Sequence, residues 1–391
     1  MKTTADAVII GGGAVGTSTL YHLTKLGMTD IVLLEKGNLA SGSTGDSAAI
    51  VRQHYSNEVS IRLVKRSIEI LLSLPDETGV DVFTQSGWCF LVPPEAEDSF
   101  VENMAQLQRL GIRTWEISAQ EATEDHLPGL NPEGIARVAY EPDGGFADPH
   151  LLCQGFADCA RAAGAAVYPN TPVTGITMSG DKVTGVRTPN GDIASPIVVN
   201  AAGPWAGPIG RMAGLDLPLE ISREQEMMLN VPSGAAAPQR AVSNMVERIY
   251  FRPTKQPGTV LVGVGHPKEN EPVSSDDYDR RADADFIEDA GGRLAHRMPQ
   301  LADAEVVASW AGLYTITPDW SMIVDRAPGV DGMYLAVGGS GHSFKLAPAI
   351  GQCLAELISI GKATTIDITP LRAGRFSEGD PLRSTYGGNR G

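Results

Sequence analysis

The chain has 391 residues, 42% of them hydrophobic and 20% charged, enough apolar surface for two units sharing a substantial core. Lys and Arg number 31 against 47 Asp and Glu, and the resulting net charge of −16 repels nucleic acid and anionic membrane surfaces, which excludes a nucleic-acid role. The 4 cysteines, Cys89, Cys153, Cys159 and Cys353, form no CxxC pair and no dense framework, so reduced thiols in a cytoplasmic protein without a metal site are expected.

The N-terminal run Ala7-Val8-Ile9-Ile10 is too short for a signal peptide and breaks into glycines, so it reads as a buried parallel strand. Helical spacing follows from Val15 to Leu26, and Asp30 to Glu35 reads as a second strand, completing a βαβ unit. Similar short apolar runs at Ile197 to Asn200 and Met333 to Val337 are candidates for the same sheet. Residues 80–145 predict a strand at Ser86 to Val92 and a helix from Phe100 to Leu110. Residues 215–325 predict strands around Arg248 to Pro253 and Thr259 to His266, then an acidic helix starting near Asp276. The expected architecture is an α/β Rossmann-type domain made of 1–80, 145–215 and 325–375. Into it is inserted a discontinuous α+β unit, 81–144 and 216–324, built on an antiparallel sheet, with a mobile tail over 376–391. No stretch approaches the ~18 apolar residues of a membrane span.

Gly11-Gly12-Gly13-Ala14-Val15-Gly16 fits the GxGxxG fingerprint, with Gly11, Gly13 and Gly16 serving a tight turn, backbone approach to a pyrophosphate, and helix–strand packing. Glu35 ends the second strand, where a carboxylate binds a ribose hydroxyl pair. The small, polar stretch Ala40-Ser41-Gly42-Ser43-Thr44-Gly45-Asp46-Ser47-Ala48-Ala49 suits a cofactor that extends beyond its adenosine. Near the other end of the chain, in GGSGHSFKLAP, Lys345 stands between Phe344 and Leu346 just past a glycine cluster. An ammonium is rarely buried without a partner, so this lysine calls for one.

VIIGGGAVG, LLEKG, SGSTGDSAAIVRQHY, VVNAAGPWA and GGSGHSFKLAP, in this order, resemble the FAD-dependent D-amino-acid oxidase superfamily. The nearest branch is that of the sarcosine oxidases, both the monomeric form and the β subunit of the heterotetramer. The resemblance implies bound FAD in contact with Gly11, Gly13, Ala14, Val15, Gly16, Glu35, Lys36, Ser41, Gly42, Ser43, Thr44, Ser47, Ala48 and Ala49. It further implies contacts from Val173 in TPVTGI, from Ala201, Ala202, Gly203 and Trp205, and from Gly338, Gly339, Gly341, His342, Ser343, Phe344 and Lys345. Gly312 and Asp46 stand where relatives attach the flavin covalently, so non-covalent FAD is expected.

For an amino-acid or amine substrate, Arg52 and Lys345 match the pair that holds the carboxylate in monomeric sarcosine oxidase, the alternative for Arg52 being a surface ion pair. Tyr250, His266 and Tyr314 match pocket positions, the alternative being a structural role. Hydride leaves a neutral amine more readily than an ammonium, so such a site favours amine deprotonation. The implied activity is oxidation of a secondary or N-methyl amino acid, or of a cyclic imino acid, to an imine. A primary amino-acid oxidase or dehydrogenase, and the flavin subunit of a heteromeric dehydrogenase, are the rivals. The lysine that promotes oxygen reaction falls near Val262 in an uncharged run, which leaves O2 and an external electron acceptor both open, as are homo- and hetero-oligomeric assembly.

Overall fold

A computed structural model describes residues 1–386. The short apolar runs read from the sequence lie side by side in one six-stranded sheet, in the order Ile323–Arg326, Met333–Val337, Val198–Asn200, Ala7–Ile10, Ile31–Leu34, Ala166–Tyr168. Every pair is parallel except the edge strand Ile323–Arg326, which runs antiparallel and crosses the domain boundary expected at 324–325. Ala7–Ile10 and Ile31–Leu34 are buried at every position, which is why they read as unbroken apolar runs rather than alternating ones.

Helix Ala14–Lys25 follows the first strand and crosses Ser343–Ile360, where Ser18 Oγ donates to the Pro348 carbonyl at 3.1 Å. A third helix, Glu58–Thr78, was not read from the sequence. Its signals were present, since the Asn57 side chain accepts from Ser60 N–H and Gly79 ends it at φ 69°, but Pro75 in its last turn disguised its length. Ser67 joins it to Ser343–Ile360, donating to the Leu346 carbonyl at 3.2 Å and accepting from Ala349 N–H at 3.1 Å.

An eight-stranded sheet runs Glu305–Ile316, Glu220–Asn230, Thr259–Val264, Ile249–Pro253, Ala241–Asn244, Trp88–Val92, Arg137–Glu141, Trp115–Ile117. It is antiparallel except where Ala241–Asn244 joins Trp88–Val92 in parallel, the seam between two sequence-distant halves. The two faces alternate as a pleat requires. Cys89, Leu91, Met227, Leu229, Phe251 and Val262 pack beneath Ala290 and Leu294 of helix Ala284–Arg297, and Glu226, Ser243 and Tyr250 of the opposite face line a cavity.

Three expectations need correction. The early helix is Glu97–Arg109 rather than Phe100 to Leu110. The acidic helix begins only at Ala284, because the preceding acids are drawn into ion pairs: Asp276 to Lys36 at 2.9 Å and Asp283 to the buried Arg223 at 2.8 Å. The tail from 376, expected to be mobile, is fastened through Tyr386. Leu382 N–H donates to Asp319, Thr385 N–H to Ser56, and the Tyr386 hydroxyl lies 3.0 Å from His54 Nε2. Residues 387–391 fall outside the described residues.

Candidate active site

The glycine turn opens the site. A Cβ on Gly16 would sit inside the van der Waals shell of the Gly11 carbonyl oxygen, so strand exit and helix entry touch there, and Gly16 packs beneath the cavity rather than lining it. Glu35 accepts from the N–H groups of Gly12 and Gly37, both at 2.7 Å, and thereby holds the turn in addition to facing the cavity. Thr44 Oγ1 accepts from Ala14 N–H at 3.2 Å, tying the 41–49 loop to the helix start, where Gly13 provides no side-chain cap. Lys36 stands 3.5 Å over the Trp205 ring, and both it and the Trp205 indole N–H reach Asp276, so Trp205 is part of a charged clamp.

These segments, with Val173, the turn at 201–205 and the 338–345 segment, line one cavity of about 830 Å³. Gly341, at φ 77°, lies so close to the Tyr314 ring that any side chain there would displace it. The loop before helix Ser343–Ile360 therefore seats directly on the strand that carries Tyr314.

Arg52 and Lys345 face the same cavity although most of the chain lies between them. Lys345 is 7% exposed, in the first turn of its helix, and burial, then the positive charge of Arg52, hold its ammonium well below the usual lysine range. Neither cation is paired with a carboxylate among the described residues; Arg52 Nη1 donates to the His54 carbonyl and its guanidinium lies 4.6 Å from the Tyr55 ring. A surface ion pair for Arg52 is thus not what the structure contains. Trp88, Phe90 and His54 complete this wall, and the His54 ring is bound to Tyr386.

The opposite wall is acidic. His266 Nε2 lies 3.2 Å from Glu224 Oε1, and Lys268 reaches Glu224 Oε2 at 2.7 Å. Burial would raise the Glu224 carboxyl, but His266 and Lys268 outweigh it and hold it below the usual range. The Tyr250 hydroxyl donates to Glu226 Oε1 at 2.8 Å, and Ala48 N–H donates to the same oxygen at 3.0 Å. Burial pushes the Glu226 carboxyl up to about 7. The Tyr314 hydroxyl is raised by burial and by both glutamates. Tyr250, His266 and Tyr314 therefore meet at one place, Tyr250 bonded to Glu226, His266 beside Glu224, and Tyr314 under the charge of both, two buried carboxylates that the motifs do not announce. A signal existed: Ser222, Glu224 and Glu226 repeat at every second position of strand Glu220–Asn230, and three polar groups on one face of an inner strand predict a polar cavity rather than core. Val262, near which the resemblance sets a relative's lysine, is fully buried with Met227 and Phe251 on the face away from the cavity.

The residues present fit FAD: a helix N-terminus without a side-chain cap behind a glycine turn, a carboxylate at the second strand end, and an adjoining polar loop. Among the described residues no cluster suited to a metal ion occurs, and no helix is long and apolar enough to cross a membrane.

Residues 6–357 match the family described as DAO, FAD dependent oxidoreductase. Human mitochondrial sarcosine dehydrogenase is 31% identical over 93% of this chain, and human mitochondrial dimethylglycine dehydrogenase 30% identical over 99% of it. The chain spans only 40% and 47% of those two proteins. The structure of L-proline dehydrogenase from P. horikoshii superposes with a TM-score of 0.90 at 30% identity, covering 98% of this chain and 100% of that one. Glycine oxidase from Geobacillus kaustophilus follows at 0.84 and 26%, covering 96% and 99%. The chain belongs to the FAD dependent oxidoreductase family.

Proposed function

We propose that this FAD-family member oxidises a secondary or N-methyl amino acid, sarcosine-like or cyclic, at the carbon beside its nitrogen. The observation that carries this is the pair Arg52 and Lys345, two basic side chains in the cavity with no carboxylate partner among the described residues, one of them buried. A substrate carboxylate supplies the missing charge, and fixing it there turns the rest of an amino acid toward Tyr250, Tyr314 and His266. The bound FAD supplies the hydride acceptor. The protein's own part is to hold the carboxylate, orient the C–H bond and favour the neutral amine; the resulting imine hydrolyses in water. The eight-stranded sheet, formed from residues 88–141 and 220–316, serves as the substrate unit inserted into the cofactor unit.

Non-covalent FAD is supported by Gly312, which offers no side chain, and by Asp46, which pairs with Arg280 at 3.2 Å. Reoxidation is by O2 or by a separate acceptor. The four cysteines, all unpaired, support a reducing, cytoplasmic compartment. A primary amino-acid oxidase is the second reading, favoured by the likeness to glycine oxidase.

Anaerobic mixing of the FAD-loaded protein with a panel of amino acids tests the proposal. Secondary amino acids should bleach the flavin absorbance faster than their unmethylated counterparts, and Lys345→Met should weaken acetate binding about 10- to 100-fold, the value of a charged hydrogen bond. Bleaching by no secondary amino acid sinks the reading.

A further inference from the structure

Glu226 has the surroundings of a working group rather than a structural one. Two structural carboxylates use both oxygens, Glu356 taking Thr364 and Thr365 and Glu247 taking Arg297 and Asn244, whereas the buried Glu141, beside His54, has like Glu226 an oxygen with no hydrogen-bond partner among the described residues. Glu226 places two donors on Oε1, while Oε2 is buried with no hydrogen-bond partner among the described residues. Arg252, whose charge acts on it, makes no hydrogen bond to it: its Nε and Nη1 donate to the Ala48 and Pro253 carbonyls. The carboxyl is faced by Tyr250 and Arg252 from strand Ile249–Pro253, by Asp46 from the 41–49 loop, by Tyr314 from strand Glu305–Ile316, and by Glu224 from its own strand.

Tyr250 and this carboxylate line the same cavity, joined by the Tyr250 hydroxyl's bond to Oε1. A tyrosine hydroxyl that donates to a carboxylate keeps its own lone pairs for an N–H donor on the other side. We propose that Tyr250 and Glu226 form a proton relay for the substrate nitrogen, with Glu226 as the terminal acceptor. The relay rests on the functional reading above and adds how the amine becomes neutral. The ammonium N–H bond breaks as a Tyr250 Oη–H bond forms, the original Oη–H bond breaks, and a proton arrives on Glu226 Oε1. The nitrogen keeps its electron pair, no electrons change hands, and the carboxylate becomes a neutral acid. Glu226 is in this sense a positioning residue that acts through Tyr250.

A carboxyl with a value of about 7 is ionised in half of the molecules at that pH, so the relay switches on across neutrality. The test uses the FAD-loaded protein, with sarcosine and L-proline as probe amines. The rate of anaerobic flavin bleaching is followed from about pH 6 to about pH 10, and acetate binding is measured beside it. In the wild type the rate should rise through an inflection near 7. Glu226→Gln should abolish that inflection and lower the rate at neutral pH about 100-fold, with recovery as the amine ionises by itself, while acetate binding stays unchanged. Tyr250→Phe should reproduce the loss, and Glu226→Asp should restore the inflection in part. Retention of the inflection in Glu226→Gln overturns the relay, as does an equal loss at every pH or a matching loss of acetate affinity. A wild type bleached by neither of these amines nor by any other secondary amino acid overturns the functional reading and the relay with it, and shows this before any variant is compared.

Discussion

Replacing Glu226 by Gln should also stabilise the protein, and only above a definable pH. The carboxyl is buried and its value rises from 4.5 to about 7, chiefly through burial, with the Tyr250 hydroxyl, the Arg252 charge and the Ala48 N–H opposing. An unfolded chain surrenders this proton near the ordinary carboxylate value, and the folded chain holds it longer. The raised value therefore leaves stability intact in acid, removes it progressively between about 4.5 and about 7, and costs a constant amount above that. A displacement of that size, at about 1.4 kcal/mol per unit, amounts to about 3 kcal/mol. Gln keeps the shape and an oxygen for Tyr250 and Ala48 but carries no charge. In a chain this long the gain corresponds to about 4 °C in the unfolding midpoint. Thermal unfolding of the cofactor-free protein and the variant at about pH 5 and about pH 8 gives the comparison. The variant should pull ahead only at the higher pH. A midpoint difference that is the same at both values refutes the reasoning, because it would mean that Glu226 does not titrate between them.

Gly16→Ala should yield protein that does not retain FAD, since the new methyl meets the Gly11 carbonyl oxygen across the turn; normal flavin absorbance after purification would contradict this. Asp319→Asn should destabilise strongly. It leaves Arg375, fully buried and bonded to Asp319 at 2.7 and 2.9 Å, as an uncompensated charge worth about 3–5 kcal/mol, and it loosens Leu382 as well. A midpoint within about 1 °C of the wild type would show that Arg375 finds another partner.

The sequence carries the cofactor half of the site openly because that half is built from backbone. Strands buried on both faces have to be continuously apolar, and a turn in which two backbones touch has to be glycine, so Ala7–Ile10 and the Gly11 to Gly16 turn announce themselves. Lys345 was legible for the opposite reason, as a charge among apolar neighbours. The acidic wall was not, because Glu224 and Glu226 look like ordinary outward positions of an alternating strand until the sheet's partner across the cavity is known. The seam between Trp88–Val92 and Ala241–Asn244 was equally hidden, since nothing local specifies a pairing between segments so far apart. Lys36, Trp205 and Asp276 form their clamp across three separate segments, and only the folded chain brings them together.

The hold of Tyr386 on His54 has a consequence for the order of assembly. The carbonyl of His54 receives Arg52, while its ring finds its hydroxyl partner only 332 positions later. The parallel sheet likewise waits for Met333–Val337 before its central strand Val198–Asn200 gains a second neighbour. As the chain leaves the ribosome, the wall around Arg52 is completed only once residue 386 has emerged. Contacts between segments so far apart form slowly, so this wall of the cavity closes well after the local glycine turn and its helix.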